Sequence, residues 1–329
     1  MPEGPEVRRA ADALHDALAG REITAFSTRI KTARAWLQEH GETEGDVFVG
    51  RRVRRVGSHG KWLYGEVEGE EGDLYFASHF LMWGRWTVVA PDDEMATTRD
   101  RRERARIEVP GAVAVLTTAP KFAVGRGDPC DDGGPLAHLG PDTLPPEGPE
   151  AFDVDAWHER LLSGKRHDRT IGAVLLDQTV LAGVGNYLRA DILFACKMDP
   201  WKTIGELTED DLACLDREIP RICAYAYANG GRTIPPEQVE RMRADPDLHY
   251  GEAHDYNLKH WVFRRTNLDC LVCGSTVRQK KQVTRRWEDD EGNTEEKKRP
   301  IYFCPTCQNT TVELPPVRKK KPKTTSADA

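Results

Sequence analysis

At 329 residues the chain is long enough for two or three domains with their own cores. An apolar content of 39% with 31% charged residues suits a globular protein, and no apolar run approaches the ~20 residues of a membrane span. The net charge of −7 weighs against a nucleic-acid partner only until its distribution is read.

Residues 259–329 carry 16 Lys and Arg against 9 Asp and Glu, a net +7, which leaves −14 on the residues before them. A basic end on an acidic body is the footprint of a phosphate-binding face. The acidic, Arg-rich start lacks the apolar core of a secretion signal, so the chain is expected to stay inside the cell. Of eight cysteines, Cys130, Cys196, Cys214 and Cys223 are scattered and the rest form two C-x-x-C pairs. That is metal-site usage in a reducing compartment rather than a disulfide framework.

The chain opens Met1-Pro2-Glu3-Gly4-Pro5-Glu6. Removal of Met1 would leave Pro2 as a free secondary amine, a group that titrates around pH ~8 and is partly unprotonated at neutrality. Beside the Glu3 carboxyl, such an amine can add to an aldehyde-like carbon and form a Schiff base. From Pro5 the sequence predicts a helix, with Val7, Ala10, Ala11, Leu14 and Leu18 on one face. Its positive end favours a nearby phosphate and disfavours protonation of the amine.

Short β-type segments follow at 52–56, 62–67, 73–77, 85–89, 105–109 and 112–116, separated by Gly and acidic turns. They predict a β-sandwich or a barrel. Lys61 follows Gly60 at the start of a strand, where its ammonium can project into a cleft. The run Ser78-His79-Phe80-Leu81-Met82-Trp83-Gly84 is too apolar for an ordinary turn. It reads either as core or as a wedge that fills the space left by an unstacked base. From Gly125 to Glu150 the composition shifts to Gly, Pro and Asp without a period, as a linker does.

Helical periodicity returns at 155–162. The stretch from Ile171 to Leu193 then predicts helix, glycine-bearing turns and helix, with Gly183 and Gly185 permitting close backbone approach and Asn186 capping the second helix. A capped helix start on a Gly turn binds phosphate, though an ordinary αα-hairpin has the same pattern. Cys270-Leu271-Val272-Cys273 and Cys304-Pro305-Thr306-Cys307 give two thiolate pairs, which together make a closed, tetrahedral, four-cysteine zinc site of the structural kind. Between them, 275–287 and 299–303 predict a hairpin made basic by Arg278, Lys280, Lys281, Arg285, Arg286 and Arg299. The polar stretch from Arg232 to Asn257 is a candidate for base contacts, and the last twenty residues read as a disordered basic tail.

These residues together resemble the formamidopyrimidine-DNA glycosylase/endonuclease VIII family, and most its endonuclease VIII branch. The resemblance runs from Pro2 to about Gln308 and rests on Pro-Glu-Gly-Pro-Glu, Gly60-Lys61, Leu-Asp-Gln…Gly-Val-Gly-Asn-Tyr-Leu-Arg, and Arg299-Pro300. It implies an α+β multidomain fold. The expected parts are an N-terminal β-sandwich flanked by helices over 1–132, a linker at 133–150, a helix-two-turn-helix domain over 151–262, a C-terminal zinc-finger β-hairpin with four cysteine ligands over 263–308, and a basic tail over 309–329.

The resemblance also implies a bifunctional DNA glycosylase and AP lyase of base excision repair that takes oxidised pyrimidines. Pro2 would be the nucleophile, Glu3 the acid that helps open the sugar, and Lys61 a phosphate contact that assists β-elimination. Asn186 and Arg299 would grip phosphates around the lesion, with Arg299 also linked to δ-elimination. Leu81, Met82 and Trp83 would fill the void, and His138 stands where a DNA-contacting Arg is expected. Cys270, Cys273, Cys304 and Cys307 would hold a structural zinc. The expected setting is a cytoplasmic, nucleoid-associated monomer acting on damaged double-stranded DNA, with no membrane. The chain departs from the family at Leu81, where the endonuclease VIII branch is more polar, and at a longer hairpin tip. Gly4 and the absence of an Asp-Pro-Arg-type loop separate it from the purine branch. The alternatives are a purine-lesion glycosylase for 8-oxoguanine or formamidopyrimidine, and a non-catalytic zinc-finger DNA-binding protein.

Overall fold

The computed structural model describes residues 2–41, 46–70, 72–251, 257–289 and 291–316. Two compact units emerge. The first comprises the chain up to Arg160 with Asp177–Val184 and Ala226–Gly231; the second comprises Leu161–Leu176, Gly185–Tyr225 and the residues from Arg232 onward.

Among the described residues the first unit is built on eight strands: β1 (Ala25–Thr28), β2 (Val53–His59), β3 (Trp62–Val67), β4 (Leu74–His79), β5 (Arg85–Val89), β6 (Glu103–Val109), β7 (Ala112–Thr117) and β8 (Lys121–Arg126). They form two antiparallel sheets in the orders β1-β6-β7-β5 and β2-β3-β4-β8. Alternating residues from both, among them Phe26, Ile107 and Leu116 from one and Val56, Leu63, Phe76 and Phe122 from the other, share one core. Of the two architectures left open by the strand pattern, the sandwich is the one observed.

Helix α1 (Gly4–Leu18) feeds Val7, Ala11, Leu14 and Leu18 into that core, at the spacing of one helical face. Its outer side is tied to the 226–231 segment. Arg9 donates to the carbonyls of Ala226 and Tyr227 at 3.1 and 3.0 Å, and the Tyr227 hydroxyl donates to Asp12 at 2.7 Å. Helix α2 (Lys31–His40) adds only Ala33 and Leu37 as buried residues. The short α3 (Glu94–Thr97) is held by buried Arg106 of β6, which donates to the Met95 carbonyl at 2.9 Å while paired with Glu103 at 2.8 Å. Helix α4 (Val154–Leu161) closes the first stretch of chain, with Trp157 fully buried.

In the second unit α5 (Ile171–Val174) and α6 (Asn186–Ala195) are the helices of the expected turn-bearing pair, followed by α7 (Glu209–Ala228) and α8 (Pro236–Ala244). Strands β9 (Arg278–Glu288) and β10 (Thr294–Phe303) form the hairpin, and β10 is longer than the sequence pattern implied. Helix α6 starts one residue earlier than expected: Gly185 is the N-cap and Asn186 is the first helical residue. Buried charges organise this unit, Asp191 and Arg189 of α6 among them. The Asp191 carboxylate accepts from the backbone N–H groups of Trp261 and Val262 at 3.0 and 3.1 Å and from the Thr233 hydroxyl, and so ties two distant stretches to α6. The Arg189 guanidinium donates to the carbonyls of Gly172 (2.7 Å) and Pro300 (2.8 Å) and to the side chains of Gln282 (3.2 Å) and Asn186 (3.3 Å).

One expectation fails. Cys196 and Cys214, two of the scattered cysteines in a pattern read as metal-site usage rather than a disulfide framework, form a disulfide that joins the end of α6 to α7 across 5.7 Å between Cα atoms. They lie 18 positions apart in sequence, so only the three-dimensional return of α7 reveals the pair. Among the described residues no helix is long and apolar enough to cross a membrane.

Arg189→Met keeps most of the volume and removes the donors. Because hydrogen bonds to charged groups contribute roughly 1.5–3 kcal/mol each, and orphaned buried acceptors cost more, the variant should lose about 3 kcal/mol or more of stability. Thermal unfolding of the purified variant beside the parent chain tests this.

Candidate active site

Three glycines set the geometry of the first unit's site. The Gly4 N–H, at the first turn of α1, donates to the Gly183 carbonyl at 2.9 Å. A Cβ on Gly4 would lie 3.2 Å from the Gly183 Cα. Gly60, in the β2–β3 turn at φ +56°, sits so close to the same loop that a Cβ would lie 2.6 Å from the Ala182 Cβ and 2.8 Å from the Gly183 nitrogen. Gly183 itself has φ +113°, a conformation that side-chain-bearing residues rarely adopt.

The residues beside these glycines are the ones that bear chemistry. Glu3 is the N-cap of α1 and is only 2% exposed; its N–H donates to Glu6 Oε2 at 2.9 Å, one arm of a capping box. Pro2 is half-buried immediately before it. Lys61, 7% exposed, donates from Nζ to the Val184 carbonyl at 2.6 Å. Sequence reasoning placed Pro2, Glu3 and Lys61 together only through a resemblance; the structure anchors Glu3 through Gly4, and Lys61 directly, on the two consecutive carbonyls of Gly183 and Val184.

Gln178 holds that loop, and sequence reasoning gave it no role of its own. Its Oε1 accepts from the Gly183 N–H at 3.1 Å, and its Nε2 donates to the Val184 carbonyl at 3.0 Å. Its place in the Leu-Asp-Gln run was the available signal. The loop is braced from behind by residues 140–143: Gly140 N–H donates to the Gln178 carbonyl, Ala182 N–H to Pro141, and Thr143 N–H to Ala182, at 2.8–3.1 Å. His138, just before this brace, is exposed at the surface.

The wedge reading of the apolar loop acquires geometry here. Phe80 is core, whereas Leu81, Met82 and Trp83 are 39%, 60% and 73% exposed. Gly84 N–H donates back to the Phe80 carbonyl at 2.9 Å, and Leu81 sits at φ +49°, a strained conformation for a leucine. His79 Nδ1 accepts from the Leu81 N–H at 3.1 Å and its ring meets Trp62 edge-on. Burial first, then Lys121 and Lys61, push its pKa down to about 4.

In the second unit Asn186 does not cap the backbone of α6 with its side chain; its Oδ1 accepts from Arg189, whose other bonds reach Gly172, Gln282 and Pro300. Arg299, exposed on β10, is adjacent to Pro300, so one buried guanidinium positions both candidate phosphate contacts. Gln282 shares this task, donating to the Thr170 hydroxyl and the Pro200 carbonyl at 3.0 and 2.8 Å. Neither Arg189 nor Gln282 was assigned a role from sequence. The sulfurs of Cys270, Cys273, Cys304 and Cys307 all lie within 4.8 Å of one another. Separations of 3.8 Å for Cys270–Cys307 and 3.4 Å for Cys273–Cys304 fit the ~3.8 Å edge of a tetrahedral zinc centre with four sulfur ligands. The four-cysteine cluster can therefore hold a metal ion. The stretch 252–256, inside the candidate base-contact segment, lies outside the described residues, as does most of the tail.

Comparison with known proteins agrees with this architecture. The Formamidopyrimidine-DNA glycosylase N-terminal domain matches residues 1–123, and the Formamidopyrimidine-DNA glycosylase H2TH domain matches residues 139–237. The chain belongs to the formamidopyrimidine-DNA glycosylase/endonuclease VIII family of DNA-repair glycosylase/lyases. It is 31% identical to Endonuclease 8 of Pectobacterium atrosepticum over 309 residues, covering 94% of this chain and all of that one. It is 32% identical to the Probable endonuclease 8 2 of Streptomyces coelicolor, over 94% of each chain. Among solved structures, the Lactococcus lactis Fpg in complex with DNA containing N7-benzyl-Fapy-dG is similar in fold, with a TM-score of 0.66 at 21% identity over 93% of this chain and 99% of that one.

Two outcomes follow. Gly60→Ala forces a β-carbon into the Ala182–Gly183 backbone at a positive φ, which alone costs about 1–2 kcal/mol. It should cut strand cleavage at an abasic site by at least tenfold, read by gel against a wild-type time course. His79 keeps a lowered pKa when folded but regains about 6.5 when unfolded, so the unfolded chain binds more protons between those values. Stability is therefore unaffected by this group above pH ~6.5 and falls as pH drops toward about 4. His79→Gln should flatten that part of the melting-temperature profile.

Proposed function

We propose that the protein is a bifunctional DNA glycosylase and AP lyase that removes oxidised pyrimidines from damaged double-stranded DNA. The observation that carries this reading is the shared anchoring of the α1 start and Lys61 on the Gly183 and Val184 carbonyls. It supports the reading because it ties to one loop the buried Lys61 ammonium and the helix start that carries the buried Glu3 and, before it, Pro2, whose nitrogen would be a chain-terminal imino group once Met1 is removed. The named Endonuclease 8 relatives and Gly4 favour pyrimidine over purine lesions.

In the proposed mechanism the damaged nucleotide is first extruded, because C1′ is inaccessible within a duplex, at a few kcal/mol of unstacking. Leu81, Met82 and Trp83 occupy the space it leaves, while His138, Asn186 and Arg299 hold the strand. The Pro2 nitrogen bonds to C1′ as the bond from C1′ to the base breaks, its N–H proton neutralising the departing base, and Glu3 delivers a proton to the ring oxygen so that the C1′–O bond breaks and the sugar opens. The resulting iminium makes the C2′ proton acidic. Loss of that proton drives the electron pair toward C3′, the C3′–O bond breaks, and the 3′ phosphate leaves: β-elimination, assisted by Lys61. Arg299 assists the second, δ, elimination at C5′. Cys270, Cys273, Cys304 and Cys307 would hold a structural zinc, whose closed four-thiolate set would fix the base of the hairpin. The proposed division of labour places catalysis in 1–132, a linker at 133–150, strand grip in 151–262 and 263–308, and nonspecific affinity in the 309–329 tail. The enzyme works as a monomer at the nucleoid in the cytoplasm.

Borohydride should trap a covalent protein–DNA adduct on thymine glycol duplex. Pro2→Gly, or a retained Met1, should reduce it at least a hundredfold, and Glu3→Gln should stop cleavage while binding persists. An unblocked Pro2 protein that yields no adduct on oxidised DNA sinks the mechanism. Side-by-side rates on thymine glycol, dihydrouracil and 8-oxoguanine duplexes decide the lesion class, with 8-oxoguanine expected slowest.

A further inference from the structure

The zinc hairpin runs on well past the point where packing requires it. Gln282, Ile301 and Phe303 are buried, but every side chain from Arg285 to Glu288 and from Thr294 to Arg299 is exposed. A bare two-stranded ribbon is marginally stable in water, so a core does not account for this length.

The register sorts its side chains onto two unlike faces. Arg286 lies opposite Glu296, and Lys298 follows two residues along the same strand. These charges satisfy one another: Arg286 Nε is 2.9 Å from Glu296 Oε1, and Lys298 Nζ is 3.0 Å from Glu296 Oε2. The other face carries Arg285 opposite Lys297 and Trp287 opposite Glu295, with Arg299 two residues on from Lys297. Among the described residues no carboxylate pairs with Arg285, Lys297 or Arg299. Arg285 lies instead over the Trp287 ring, 5.8 Å from its centroid, and that ring is 42% exposed. Nearer the base, Arg278 and Lys280 on this face are taken up by the carbonyls of Pro315 and Glu313. The uncompensated cations thus form a row that begins at Arg299 and ends where Glu295 and the acidic tip begin.

We infer that Arg285, Lys297 and Trp287 form a phosphodiester-binding strip that extends the grip of Arg299 along the DNA strand flanking the lesion. This rests on the reading of the chain as a DNA-repair glycosylase and goes beyond it in naming an accessory DNA-binding surface. Lys297 and Arg299 are about 7 Å apart along the strand, roughly two nucleotide steps along a DNA axis. Trp287 supplies a flat ring against which an unstacked base or a deoxyribose can lie, as aromatic residues do in single-strand-binding grooves.

The test uses the full-length protein and fluorescence anisotropy across 50–200 mM KCl. The probes are a duplex of about 30 base pairs carrying a tetrahydrofuran abasic analogue, and its abasic strand alone. Each phosphate contact on duplex DNA contributes about 0.9 to the slope of log K against log salt. Arg285→Ala with Lys297→Ala should lower that slope by about 2 on the duplex. Arg286→Ala with Lys298→Ala, equal in charge but on the paired face, should leave it unchanged. Trp287→Ala should weaken binding about fivefold or more, selectively on the single strand if the ring takes an unpaired base and on both probes if it takes a sugar. Unchanged zinc content and melting temperature confirm that the hairpin survives. If the two double variants behave alike, or neither alters the slope, the strip is wrong. A parent protein that binds with the expected slope difference but never traps on abasic DNA would reject the enzymatic reading and leave the strip standing.

Discussion

The unit that carries the candidate active site depends on the absence of three β-carbons. Gly4, Gly60 and Gly183 allow the start of a helix, a β-turn and a loop from a distant part of the chain to meet at backbone distance. The Gly4–Gly183 hydrogen bond then fixes the helix start, and the Lys61–Val184 hydrogen bond fixes the lysine one residue away. Both acceptors are rigid backbone carbonyls on consecutive residues, so the anchor points of the helix start and of the candidate lysine are set by main-chain geometry. That is a firmer constraint than rotamer packing, since peptide units have far less freedom than long side chains. Gln178 and the 140–143 brace serve the same end by holding the loop through its remaining backbone groups.

The second unit solves a comparable problem with buried charge. Asp191 gathers backbone donors and Arg189 gathers carbonyl and amide acceptors, and both belong to the same helix. Burying an ion is costly unless its hydrogen-bonding capacity is met, and here groups from several separated segments meet it. The helix thereby specifies where those segments lie. The Cys196–Cys214 bridge adds a covalent tie at its far end.

Much of this was legible in the sequence where one residue type has one dominant physical use. The C-x-x-C pairs predicted the sulfur cluster, and the apolar stripe from Val7 to Leu18 predicted α1 to within a residue of its observed start. The strands between 52 and 116 followed from alternation and turn residues. What escaped was short or relational. β1 has four residues, and α2 has no side-chain cap and only two buried positions. β8 ends in the Gly-rich stretch because Tyr75, its cross-strand neighbour, leaves no room for a side chain at Gly125, so a strand residue looked like linker. Arg189, Gln178 and Gln282 act by reaching other groups, in one case 111 residues away, and no local pattern announces that. The start of α6 was expected one position late, because glycine occupies the N-cap where Asn186 was the natural candidate.

The fan of bonds from Arg189 has a mechanical corollary. Because a single guanidinium joins α5, the first residue of α6 and both strands of the hairpin, none of these can loosen without stranding acceptors in the others. They form one cooperative block, opening together or not at all. A load placed on Asn186 is therefore carried by the strand that bears Arg299, as on two hooks welded to a single plate.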